Sequence, residues 1–110
     1  MTIQVLTLEG RLDTAAVAKM EPGFAAKAGA VSSQGGKVII DLQDLTYLSS
    51  MGIRLLVSTL KQFKQRGITF VTIAPREGTV QELLKMASLT EHLNIVEGAA
   101  AAAAALAGNS

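Results

Sequence analysis

"KVIIDLQDLTYLSSMGIRLLVSTLKQFKQRG", residues 37–67, decides the fold. It opens with a short continuous apolar run, Val38 to Ile40, closed by Asp41 and Leu42. A run of this kind suits a central strand covered on both faces. It closes with Ile53, Leu56, Val57, Leu60 and Phe63 at helical spacing, while Arg54, Ser58, Lys61, Gln62 and Gln65 fall on the opposite side. Gly67 is a fitting stop. Between the two, "QDLTYLSS" (43–50) reads as the connection from strand to helix.

Working outward, residues 3–9 read as a strand, with Ile3, Val5 and Thr7 alternating against Gln4, Leu6 and Leu8. "GRLD" (10–13) ends it, and Asp13 or Thr14 can cap the next element. Ala15 to Ala30 is rich in alanine and spaces Ala16, Met20 and Phe24 four apart, which favours a helix. "EPG" (21–23) predicts an interruption, either a kink at Pro22 or the first turn of a second short helix. "SSQGG" (32–36) predicts a loop. "ITFVTIA" (68–74) is a third strand, closed by Pro75. "TVQELLKMA" (79–87) is a helix with Val80, Leu83, Leu84 and Ala87 inward, and "LNIV" (93–96) is a short fourth strand. The expected domain spans 1–97. The alanine-rich tail, 98–110, carries seven consecutive alanines at 99–105 and is expected to be helical, docked through Leu106, or frayed. Strands alternating with helical segments predict an α/β domain around a small, mostly parallel four-stranded sheet.

Composition narrows the function. A net charge of +1, three phenylalanines, one tyrosine and no tryptophan give no basic stripe and no stacking platform, which argues against nucleic acid as a partner. Cysteine is absent, so disulfides and thiolate metal sites are excluded. The beginning of the chain alternates like a strand and lacks a basic leader. No apolar run approaches the roughly 20 residues that span a bilayer. A cytoplasmic domain with no direct membrane insertion is therefore expected.

Parallel strands collect their carboxyl ends on one rim, where open α/β sheets place ligands and partners. The sequence brings Asp13, Asp41, Asp44, Ser49, Ser50, Pro75, Arg76 and Glu77 there. Ser50 is placed to cap the helix opening at Met51 through the amide of Gly52 or Ile53. A second reading is a modified hydroxyl. A helix N-terminus offers free amides and partial positive charge, so a phosphate on Ser50 would sit where the backbone best accepts it. Gly52 leaves the backbone open to close approach. Serine catalysis lacks a base, because the single histidine, His92, precedes the fourth strand and belongs at the opposite rim. "SSMG" is not the nucleophile elbow of hydrolases either. The spacing of Asp13, Asp41 and Asp44 matches no calcium loop, and "SSQGG" precedes a strand rather than a helix, unlike a phosphate loop. No metal, cofactor or catalytic residue is expected. The Arg54, Lys61 and Gln65 stripe is a solvated helix face or a receiver for an acidic partner.

"GRLD" (10–13), "VIIDLQDLTYLSSMGIRLLVSTLKQFKQRG" (38–67) and "TFVTIAPREGTVQELLKMASL" (69–89) together resemble the STAS family, in its anti-sigma factor antagonist branch. The likeness covers about residues 3–97, and the strand, Asp-Leu, aromatic, Ser, Gly, helix order is its most specific part. It implies a compact β-α superhelix without enzymatic activity. It also implies partner switching. The unphosphorylated antagonist holds an anti-sigma factor that is also a serine kinase, of the GHKL ATPase type. Phosphorylation by that kinase releases it, and a PP2C-type phosphatase resets the antagonist. Aligned on Tyr47 and Gly52, the phosphoacceptor falls on Ser50. Ser49 stands where the family carries Asp, and Met51 where it carries Ser or Thr. Asp13 matches the acid of the Gly-Glu-Leu-Asp motif, with Arg11 in place of Glu. On this resemblance the family's strand before residue 3 is expected to be absent or shortened. The resulting partner-binding rim is Asp13, Asp41, Asp44, Ser49, Ser50, Met51, Gly52 and Arg54. A constitutive STAS-like subunit of a transport or lipid-transfer complex is the alternative, and a mean hydropathy of +0.37, raised by the alanine tail, leans toward it. An esterase or phosphatase is a third reading.

Overall fold

The computed structural model describes residues 3–34, 36–89 and 92–108. Gly35 of the expected loop, and residues 1–2 and 109–110 at the ends of the expected domain and tail, lie outside the described residues. The elements run β1 (Ile3–Thr7), β2 (Gly10–Leu12), α1 (Thr14–Gln34), β3 (Lys37–Asp41), β4 (Leu45–Leu48), α2 (Ser50–Gln65), β5 (Thr69–Ile73), α3 (Gly78–Met86), β6 (Ile95–Val96) and α4 (Gly98–Gly108). Strands β1, β3, β5 and β6 form a parallel four-stranded sheet in the order β1-β3-β5-β6. This is the mixed α/β architecture that the alternation of elements predicts.

Two short segments expected to be connections are strands. Gly10–Leu12 and Leu45–Leu48 pair in parallel as a separate two-stranded ladder. They continue β1 and β3 past a break. The Leu8 amide donates to the Asp41 carbonyl at 3.0 Å and the Gly10 amide to the Asp44 carbonyl at 2.9 Å, so the two chains stay in contact across it. Register changes there. Thr7 faces Asp41, whereas Leu12 faces Leu48, so the second chain has gained two residues on the first. Gly10, at φ of +73°, makes the bend that re-aims the first chain.

Both faces of β3 and β5 are covered, which is why Val38–Ile40 and Phe70–Val71 run apolar without alternation. On one face α1, α2 and α3 enclose the larger core. Leu6, Val38, Ile40 and Phe70 from the strands, with Leu8 just past β1, meet Val17, Phe24, Leu56, Phe63, Val80 and Leu84 from the helices. The Phe63 and Phe70 rings lie 6.0 Å apart, tilted by 50°. On the other face α4 rests on Ile39, Val71, Ile73 and Val96 through Ala102, Ala105 and Leu106. The alanine segment is thus a docked helix, with Leu106 fully buried. Lys37 donates from Nζ to the Leu106 carbonyl at 2.6 Å, placing a cation at the carboxyl end of α4.

α1 corrects two local expectations. It is one continuous helix of 21 residues with Pro22 inside it, and it runs through Ser32, Ser33 and Gln34, where a loop was expected. Val17, Phe24, Ala28 and Val31 bury along one stripe on both sides of the proline, and Met20 packs against the same core. That packing outweighs the hydrogen bond that Pro22, on the exposed side, cannot make. Ser32 and Ser33 turn their hydroxyls back onto the carbonyls of Ala28 and Gly29, at 2.9 and 3.1 Å, and so remain helical. α2 ends as its sequence predicts. Gly67 has φ of +69°, its amide donates to the Lys64 carbonyl, and the Ile68 amide donates to the Phe63 carbonyl.

Among the described residues one buried side-chain polar atom lacks a partner. Thr72 on β5 is fully buried, in register with Ile40, and its Oγ1 has no hydrogen bond. Replacing an unsatisfied buried hydroxyl with a methyl of similar shape removes its desolvation cost. Thr72→Val should therefore raise stability by about 1 kcal/mol, read as a higher urea midpoint at unchanged slope. A lower midpoint would show that the hydroxyl is satisfied in solution.

Candidate functional site: the rim at the start of helix 2

The β2–β4 ladder carries the rim. Its carboxyl ends run directly into the two long helices, α1 after Leu12 and Asp13, α2 after Leu48 and Ser49. The Ser49 amide donates to the Leu12 carbonyl at 2.9 Å, so both helices start side by side. Asp13 accepts from the Ala16 amide at 2.9 Å and is the cap of α1.

The two adjacent serines divide the work differently from the sequence-based expectation. Ser49, not Ser50, is the N-cap of α2. Its backbone is extended (φ −77°, ψ 170°), and its Oγ accepts from the Gly52 amide at 3.3 Å. It is 8% exposed. Ser50 is the first helical residue and is exposed. Its hydroxyl has no hydrogen-bond partner among the described residues. Position 50 is therefore free of structural duty, while the cap expected of it sits one residue earlier. The first turn of α2 holds no acidic residue of its own.

Gly52 is present for contact distance. A Cβ there would stand 2.6 Å from Cδ1 of Leu48, itself buried, and 3.7 Å from Cβ of Leu12. The missing side chain lets the first turn of α2 settle against the ladder. Beside it, the Arg11 guanidinium lies over the Tyr47 ring at 4.3 Å from the centroid, and its Nε is 3.7 Å from Asp13 Oδ2. Met51 is 37% exposed, a large apolar side chain next to Ser50. Met51, Arg54, Leu55 and Ser58 of α2, with Glu21 of α1, line an open cleft of about 270 Å³.

The other rim residues form a second group. Asp41 Oδ1 accepts from the Gln43 amide at 3.0 Å and from Gln43 Nε2 at 3.2 Å, closing the turn after β3. Asp44 pairs with Arg76 at 3.1 Å, and Arg76 also donates to Gln43 Oε1 at 3.2 Å. Gln43, Asp44, Leu45, Thr46, Arg76 and Glu77 line a separate shallow cleft of about 350 Å³. The structure thus gathers Asp13, Ser49, Ser50, Met51, Gly52 and Arg54 around the start of α2. Asp41 and Asp44 belong to the neighbouring turn. Glu21 was not singled out in the sequence, because the unbroken course of α1 through Pro22 is what carries it to α2. His92 shares a cleft with Val57, Leu60, Lys61 and Lys64, beside the last turns of α2 and away from Ser50. Among the described residues no three His, Asp or Glu side chains converge as a metal site would require, and no helix is long and apolar enough to cross a membrane.

A parallel sheet whose rim strands launch two helices, with an exposed serine opening the second, defines a small α/β class of domain whose site is an open rim. The chain belongs to the STAS domain family, whose sequence profile matches residues 2–102. No curated protein matches the sequence. Among solved structures, the chain is similar to the murine Solute Carrier 26 family member A9 anion transporter in its inward-facing state (TM-score 0.80, 16% identity). That alignment covers 97% of this chain and 18% of the transporter, so the chain spans less than a fifth of it. It is also similar to the anti-sigma factor antagonist SpoIIAA in its unphosphorylated form (TM-score 0.71, 18% identity, covering 96% of this chain and 88% of that one). The phosphorylated form of the Bacillus cell fate determinant SpoIIAA matches with a TM-score of 0.61 at 18% identity, covering 86% and 81%.

The division between the serines is measurable in stability. Ser49→Ala should cost about 1 kcal/mol, the usual loss for an N-cap. Ser50→Ala should stay within about 0.5 kcal/mol of wild type, as an exposed substitution without partners does. A larger loss at Ser50 than at Ser49 in urea denaturation would return the cap to Ser50.

Proposed function

We propose that this domain is an anti-sigma factor antagonist, a non-catalytic binding switch controlled by phosphorylation of Ser50. The observation that carries the reading is the pair of serines. Ser49 is buried and committed to the cap, which leaves Ser50 exposed on the rim with an unengaged hydroxyl. The partner would be an anti-sigma factor with GHKL-type serine kinase activity, docking over Ser50, Met51 and Arg54 beside Asp13. The kinase transfers the γ-phosphoryl group of ATP to Ser50 Oγ, giving ADP and releasing the hydroxyl proton. A PP2C-type phosphatase hydrolyses the ester and restores the binding form.

The proposed switch needs no refolding. A phosphate adds about −1.5 to −2 charges near neutral pH, at a helix start that tolerates an anion. Inside a docked interface the same charge would be desolvated against a partner surface that fits the neutral hydroxyl and supplies no counter-charge, which is unfavourable. The family-typical Asp is Ser49 here, so the acceptor lacks an adjacent carboxylate. A constitutive role in a transport or lipid-transfer assembly is the second reading, and it is favoured by that departure together with the likeness to the anion transporter. It expects co-purification with membrane components and an unmodified Ser50.

Two variants test the switch. Ser50→Ala should keep affinity for the kinase partner, and Ser50→Asp should lower it by about tenfold or more, measured by calorimetry with partner purified from the native cells. Far-UV circular dichroism and melting should stay near wild type in both. Indifference of affinity to both substitutions would overturn the switch.

A further inference from the structure

We propose that Arg54 is the intramolecular receiver of the Ser50 phosphate, so that modification also withdraws a cation from the docking surface. This deepens the switch above and rests on Ser50 being the phosphoacceptor. Ser50 and Arg54 both lie in α2, with Ser50 exposed and Arg54 lining the open cleft, and they are one turn apart. Side chains at i and i+4 are neighbours, with Cβ atoms about 5–6 Å apart. The favourable order places the anion nearer the N-terminus, as it is here. A guanidinium offers a planar fork of donors that matches phosphate oxygens two at a time.

Arg54 is available for this. Among the described residues its guanidinium makes no hydrogen bond or ion pair, whereas Arg11, Arg76 and Lys85 each stand against a carboxylate. The first turn of α2 contributes no acidic side chain to compete. Glu21 lines the same cleft across from α2 yet forms no ion pair with Arg54. In the unmodified domain the guanidinium therefore stands free beside exposed Met51, a cation next to an apolar patch. That combination suits a partner surface with a carboxylate beside an apolar side chain. In the modified domain the same guanidinium folds back along the helix onto the phosphate. The rim then offers a partly neutralised phosphate and no free cation at this position.

Installing phosphoserine at position 50 of the full chain during synthesis tests this without any kinase. The second ionisation of the phosphate, followed by phosphorus NMR against pH, reads its surroundings directly. An ordinary phosphoserine has its second pKa near about 6. The wild-type value should lie about half a unit below that of the Arg54→Gln chain, since an opposite charge favours the dianion. Arg54→Lys should recover part of the difference. Lys61→Gln should change nothing, because position 61 lies about 16 Å further along the helix, beyond the screening length at physiological salt. The helix end acts equally on all four chains, so the difference isolates Arg54. Equal values in wild type and Arg54→Gln would overturn the proposal. A finding that cells never phosphorylate Ser50 would instead sink the functional reading, and the titration would still report on the pair.

Discussion

The hydrogen bond from the Ser49 amide to the Leu12 carbonyl, at 2.9 Å, is the constraint on which the rim depends. It closes the short parallel ladder at the point where both of its strands turn into helices. Parallel pairing forces the two chains to leave the ladder at the same end, so α1 and α2 start together. Gly52 then allows the first turn of α2 to lie against Leu48 and Leu12. The remaining features derive from that closure. Ser49 is held inward as the cap, Ser50 is presented outward, and Asp13 caps the neighbouring helix within the same patch.

Much of this frame is legible in the sequence, and the illegible parts share a cause. The apolar runs of β3 and β5 and the helical period of α2 and α3 are local patterns, and they mark elements that the structure contains. β2 and β4 are different. Three and four residues long, they carry no period of their own, and what makes them strands is pairing with each other across a long intervening stretch of chain. Pro22 and the Ser32–Gln34 segment mislead for a related reason. Their local chemistry favours a break, while the buried stripe from Val17 to Val31 holds the helix through them. The cap shifted by one residue because Ser49 and Ser50 are the same residue type. The hydrogen bond to the Leu12 carbonyl, remote in sequence, holds Ser49 as the one that turns inward.

The outer face of the sheet obeys a looser rule. α4 buries Ala102 and Leu106 and brings almost no side-chain bulk, so the helix can lie close on Ile39, Val71 and Ile73. Lys37 from the amino end of β3 fixes its far end. Cover stops short of β1, whose Ile3 and Val5 remain 40% and 58% exposed on the face that α4 shares. The interior is thus held from the α1–α2 side, where the larger cluster lies. The rim belongs to that side, because both helices that start there also supply the core beneath it.

This arrangement would let a charge be added at position 50 without disturbing the fold. Ser50 belongs to neither apolar cluster, and its hydroxyl holds no other element in place. Its neighbour Ser49 carries the mechanical load of the cap. Separating the two duties into adjacent residues leaves one free to change chemistry while the other keeps the geometry. The same frame recurs at 16% and 18% identity in part of an anion transporter and in an anti-sigma factor antagonist. What such domains share is the fold, so what distinguishes their duties must lie in the few side chains displayed on it. The switch proposed for this chain would use an exposed serine, an exposed methionine and an arginine that has no ion pair among the described residues, and none of the three belongs to either apolar cluster.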